Sequence, residues 1–160
     1  MSFFVQSTAA SVPKTPNIRL VSTALAAVFV VLVTAQLYSF EDFPRVIESF
    51  WLPGGEAFAQ LVAALLVTGE VSAIPFLLSM RLSPAMRVVS MVAGWLVIAS
   101  WLTLAVWINV TVNAVSNAGL LGATVSLSPG WWMVFLFAAL AVLAGWASWG
   151  MWPLHRPDKQ

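Results

Sequence analysis

Cysteine is absent, and histidine occurs once, as His155 near the end of the chain. These two gaps exclude a disulfide framework, thiolate metal sites, a cysteine nucleophile and any metal site built from several histidines. A haem held by a lone histidine inside a membrane is disfavoured too, because His155 lies beyond the last apolar run. Charge is scarce: 8% of the 160 residues are charged, against about a quarter in soluble domains. With 61% hydrophobic residues, the chain cannot cover itself with a polar surface and belongs in a bilayer. The net charge of +1 comes without a basic run, so nothing points to a nucleic-acid partner.

Four apolar runs are present, at about 19–40, 57–80, 88–112 and 131–152. Each is long enough to cross the hydrocarbon as a helix, which takes roughly 20 residues. The runs are continuous, not alternating, so spanning strands are not expected. The expected fold is all-α: an integral membrane antiparallel four-helix bundle, with residues 18–153 as the membrane domain. Residues 1–17 read as a flexible cytoplasmic lead and 154–160 as a cytoplasmic tail. The lead lacks the basic start and short apolar core of a signal peptide.

Orientation follows from the cations. Lys14 and Arg19 precede the first run, Arg81 and Arg87 sit in the "RLSPAMR" connection, and Arg156 and Lys159 lie in the tail. Arg45 alone falls in the remaining connections. Six of seven cations therefore share one side, which predicts both termini on the cytoplasmic face of the cytoplasmic membrane.

The first outer connection places Phe43, Val46, Ile47, Phe50 and Trp51 at helical spacing, with Glu41, Asp42, Arg45 and Glu48 on the other face. This predicts a short amphipathic helix, lying in the interface or folded over the bundle. Glu41, Asp42, Glu48 and Glu56 form an outer acidic segment, read first as a solvated face and otherwise as a docking point for a cation or basic partner. The second outer connection, "NAVSNAGLLGATVSLSPG", carries no charge and is expected to pack onto the bundle. Trp95, Trp101, Trp146 and Trp149 fall deep within runs, where an indole N–H needs an acceptor.

One carboxyl stands out. In "LVTGEVSAIPF", Glu70 lies near mid-membrane and Pro75 follows five residues later. A central acidic residue costs roughly 2.5 to 3.5 kcal/mol on insertion scales, so Glu70 should face protein. Pro75 cannot donate to the Val71 carbonyl, which leaves polar backbone beside the carboxyl. Glu56, Gln60, Ala63, Val67, Glu70 and Ile74 share one helix face. Matching depth on the other runs adds Ser100, Trp101, Trp146 and Ser148, with Gln36 and Asn109 nearer the outer end. These residues could line a narrow cavity opening outward. Two readings stand: a carboxyl beside a small hydrophobic ligand such as a quinone head group, or a structural carboxyl bonded to a tryptophan N–H or a hydroxyl. Small residues at Ala59, Ala63, Ala64, Gly69, Ser72 and Ala73 suit close helix packing, within the chain or in a homo-oligomer.

The order of parts resembles the DoxX and MauE group of small four-helix membrane proteins: an apolar span, the "YSFEDFPRVIESFWLPGG" link, a span containing Glu70, then a short basic turn. The resemblance implies an accessory or subunit of a membrane redox system, not a stand-alone enzyme, with a membrane or extracytoplasmic redox partner. It bears chiefly on Glu70 and residues 40–53. Tyr38 and Ser39 stand where a lysine is often expected, and the first span has no glycine. The alternative is a non-catalytic scaffold or assembly protein; a small transporter component fits less well, since no inverted repeat is visible.

Overall fold

In hydrocarbon a backbone must satisfy its own hydrogen bonds, and the apolar runs do so as helices. The structure, a computed structural model, describes residues 13–112 and 115–152. It contains α1 (Pro16–Tyr38), α2 (Phe43–Glu48), α3 (Gly55–Leu77), α4 (Pro84–Thr111) and α5 (Trp131–Met151). The four long helices pack as a closed ring in the order α1–α3–α4–α5, and α2 rests on α3. Early residues of one helix meet late residues of its neighbour, as in Phe76 with Ser90, Trp95 with Ser148 and Lys14 with Gly150, so the bundle is antiparallel. Only 33–39% of each helix's apolar window is buried within the bundle, so the remaining apolar surface, including Leu61, Leu96, Phe135 and Val142, meets lipid. The chain is an integral membrane protein.

Helix ends follow local chemistry, and two differ from the sequence-based expectation. Thr15 caps α1 by accepting from the Ile18 N–H, with Pro16 at the first helical position. Residues 15–17 thus belong to the bundle, not to a flexible lead. Residues 1–12 of that lead, and the tail 154–160, lie outside the described residues. Ser83 caps α4 in the same way through the Met86 N–H, again with proline next. That Ser-Pro start draws Arg87 out of the expected connection and into the first turns of α4, where it is buried. Proline at the first helical position loses no hydrogen bond, which is why both helices begin there.

The link between α1 and α3 turns sharply. Phe43, Ile47 and Phe50 are fully buried, so α2 folds onto the bundle. Trp51 departs from the predicted apolar face: α2 ends at Glu48, Trp51 takes a left-handed φ of 53°, and its side chain is 77% exposed. Gly54 then adopts φ +125°, where a Cβ would lie 2.6 Å from that of Phe58. A side chain there would oppose both the backbone and the start of α3.

α3 and α4 approach closely because small residues face each other. A Cβ on Gly69 would meet the Val97 Cγ2 at 2.5 Å, and one on Gly94 would meet the Ala73 Cβ at 3.3 Å. Ala59, Ala63 and Ala73 are buried within the chain, whereas Ala64 is exposed. Most of the small-residue stripe is therefore used in packing inside one copy.

Pro75 opens α3, but the opening is filled. The Ser90 hydroxyl of α4 donates to the Ser72 carbonyl at 2.5 Å and accepts from the Phe76 N–H at 3.0 Å. In an unbroken helix that N–H would bond that carbonyl. A hydroxyl from the neighbouring helix has entered the ladder beside the proline, a recognised way to accommodate a helix irregularity.

Candidate functional site

Gln36 lies two residues before α1 ends and Glu70 lies fifteen residues after α3 begins, yet they meet. α3 therefore extends roughly 20 Å beyond that level toward the α2 end, at about 1.5 Å per residue. The segment between α4 and α5 fills the space this leaves. Gly122, at φ +61°, lies so close to α1 that a Cβ would fall 3.1 Å from the Gln36 Cα. The Ala123 N–H donates to Ser39 Oγ at 2.8 Å, tying the segment to α1. Ala118 and Leu120 are buried as a result.

The Glu70 carboxyl sits beneath this seal. Its Oε1 accepts from Trp101 Nε1 at 3.0 Å and from Gln36 Nε2 at 3.2 Å. Gln36 Nε2 also donates to the Leu120 carbonyl at 3.3 Å. The Trp101 ring stacks on Phe137 of α5, with centroids 5.7 Å apart and planes 11° from parallel. Gln36, Glu70 and Trp101 are all 0% exposed. One carboxyl oxygen thus joins α1, α3 and α4 directly, reaches α5 through a ring stack, and reaches the sealing segment through Gln36. Glu70 Oε2 and Gln36 Oε1 are buried with no hydrogen-bond partner among the described residues.

The other residues expected at this site lie elsewhere. Gln60 is exposed and donates to Glu56 Oε1 at 3.1 Å on its own helix. Ser100, one residue before Trp101, is exposed, since adjacent helical residues point about 100° apart. Trp146 also faces outward. Ser148 accepts from Trp95 Nε1 at 3.2 Å, away from Glu70. Asn109 bonds back to the Ala105 carbonyl of its own helix at 2.7 Å. Of the predicted set, Glu70 and Trp101 come together, with Gln36 from the secondary group. Nothing in the residue pattern singles out Leu120 and Phe137: one contributes a backbone carbonyl from an uncharged connection, the other an aromatic face indistinguishable from its neighbours.

The two grooves on the α2 side do not include Glu70. A groove of about 410 Å³ between α2 and α3 is bordered by Glu41, Glu48, Glu56 and Gln60, with Phe40 and Ala63 below. A second, of about 560 Å³, is bordered by Arg45, Glu48, Trp51 and Gly55. Glu70 lines neither. Asp42 pairs with Arg45 at 3.3 Å on the open surface, a contact that contributes little. The crevice beside Ser90 has room for about 10 Å³, near the limit for a single water. Among the described residues no three acidic or histidine side chains are grouped to hold a metal ion.

Comparison of the chain with protein-family models, with curated proteins and with solved structures found no match.

Proposed function

We propose that this protein is a non-catalytic scaffold or assembly component of the cytoplasmic membrane, with both termini cytoplasmic and the α2 end facing outward. The observation that carries this reading is the enclosure of Glu70. Among the described residues its carboxyl bonds to Gln36 and Trp101, it lines neither groove beside α2, and it connects every long helix. A buried polar contact of this kind sets helix register more than it adds stability; measured interhelical cases average about 0.6 kcal/mol. The partner would be a membrane or extracytoplasmic protein, in keeping with the redox systems that the DoxX and MauE resemblance implies.

The test is ligand titration of the purified protein in lipid nanodiscs. Trp101 touches Glu70, so a quinone head group at that carboxyl would alter tryptophan emission. The scaffold reading expects only the linear, unsaturable quenching of a quinone dissolved in lipid, equal in wild type and W101F. A second reading, a redox accessory holding a quinone-like ligand at Glu70, is favoured by the two oxygens left without partners among the described residues, which would accept from the hydroxyls of the reduced, quinol form. Saturable quenching that disappears in W101F would establish that reading and end the first.

A further inference from the structure

The hydrogens around Glu70 can be counted. Gln36 Nε2 carries two and Trp101 Nε1 carries one. The Gln36 pair goes to Glu70 Oε1 and the Leu120 carbonyl, and the Trp101 hydrogen goes to Glu70 Oε1. All three are in use. Two acceptors remain, Glu70 Oε2 and Gln36 Oε1, both buried. They belong to a carboxyl and an amide already in contact. An unmet polar atom in hydrocarbon costs several kcal/mol in the absence of any partner. Turning the Gln36 amide over does not help. It would set its oxygen against the Glu70 and Leu120 oxygens and supply no new hydrogen.

We infer that the Glu70–Gln36 pair is a binding site for one further hydrogen-bond donor, held by Glu70 Oε2 and Gln36 Oε1. Two sources share that chemistry: a proton carried by the carboxyl itself, or a bound water. The full burial of both residues and the seal formed by the 117–123 segment keep the donor out of exchange with the surroundings. The inference does not depend on the scaffold reading, since quinone titration neither supplies nor removes this donor.

Infrared difference spectroscopy of the purified protein in nanodiscs, wild type minus E70Q, separates the sources. A neutral carboxylic-acid carbonyl band that is absent from E70Q, and that shifts in D₂O only on prolonged exchange, assigns the donor to the carboxyl. Carboxylate bands assigned to Glu70, together with a water cross-peak to the Gln36 side-chain amide in NMR spectra, assign it to water. Carboxylate bands with no such cross-peak overturn the inference. Thermal unfolding gives an independent reading, because the amide of E70Q brings its own donor to the place of Oε2. E70Q is expected to unfold within about 2 °C of wild type or above it, while E70A unfolds at least about 5 °C lower. Equal losses in E70Q and E70A would count against a donor site. Should E70Q not fold, E70D serves for the spectral assignment, through a shift of the acid band instead of its loss.

Discussion

The two halves of the bundle handle buried polarity differently. On the side toward α2, Glu70, Gln36 and Trp101 form a node in which two oxygens lack partners among the described residues. Toward the other end, Ser90 both donates to α3 and accepts from it, and Trp95 donates to Ser148. The difference lies in the chemistry of the groups. A hydroxyl gives one hydrogen and takes another, so it can splice into a broken helix and leave nothing over. A carboxylate only accepts, and neither of its oxygens can be turned into a donor without adding a hydrogen. A serine bridge can therefore be complete within the protein, whereas a buried glutamate invites something from outside the covalent structure.

Substitutions test this contrast. The largest effect is expected for Glu70→Ala, which strands the Trp101 N–H and one Gln36 hydrogen and leaves a void; about 3 kcal/mol of stability should be lost. Denaturant titration in detergent micelles measures it, and a loss under about 1 kcal/mol would place the node on a level with the serine bridge. Next comes Gly69→Val. Its side chain would collide with Val97, and about 2 kcal/mol is expected from overpacking between α3 and α4. Disulfide trapping between cysteines introduced on facing positions of the two helices reports whether they have moved apart. Ser90→Ala is expected to cost about 1 kcal/mol in the same titration, by stranding the Phe76 N–H and the Ser72 carbonyl. An unchanged midpoint would mean that α3 recloses on itself, and that the serine is a guest in the ladder instead of a necessary bridge. The smallest effect is expected for Ser148→Ala, about 0.5 kcal/mol or less, because Trp95 lies at the lipid-facing edge and has interfacial alternatives. A larger loss would show that this edge contact also fixes register.

Much of the architecture was legible in the residues. Four long apolar runs could become nothing but helices in a bilayer, and the alternation of Phe43, Ile47 and Phe50 with charged neighbours marked α2 as a helix lying on the bundle. Glu70 announced itself by the expense of a charge at that depth. Its neighbours were harder to name. Depth matching assumes that successive spans start and stop at common levels. It therefore pairs Glu70 with residues near the middle of each run and leaves Gln36 too far out. α3 begins well beyond the end of α1, and this offset brings Gln36 to the carboxyl. The expected carbonyl beside Glu70 was assigned by the rule for proline, but the gap in α3 is closed by a residue eighteen positions from Ser72, which no local rule selects.

The sequence by itself determined the solvent, the number of spans and the presence of one buried acid, because each depends on composition and run length. Only the tertiary structure decided what that acid touches. Helix rotation turned Trp101 inward and Ser100 outward, helix offset chose Gln36, and the sealing segment closed the route from the α2 end. These outcomes depend on how far each helix slides and turns against its neighbours. Small residues such as Gly69 and Gly94 set that distance jointly, and no single run of sequence encodes it.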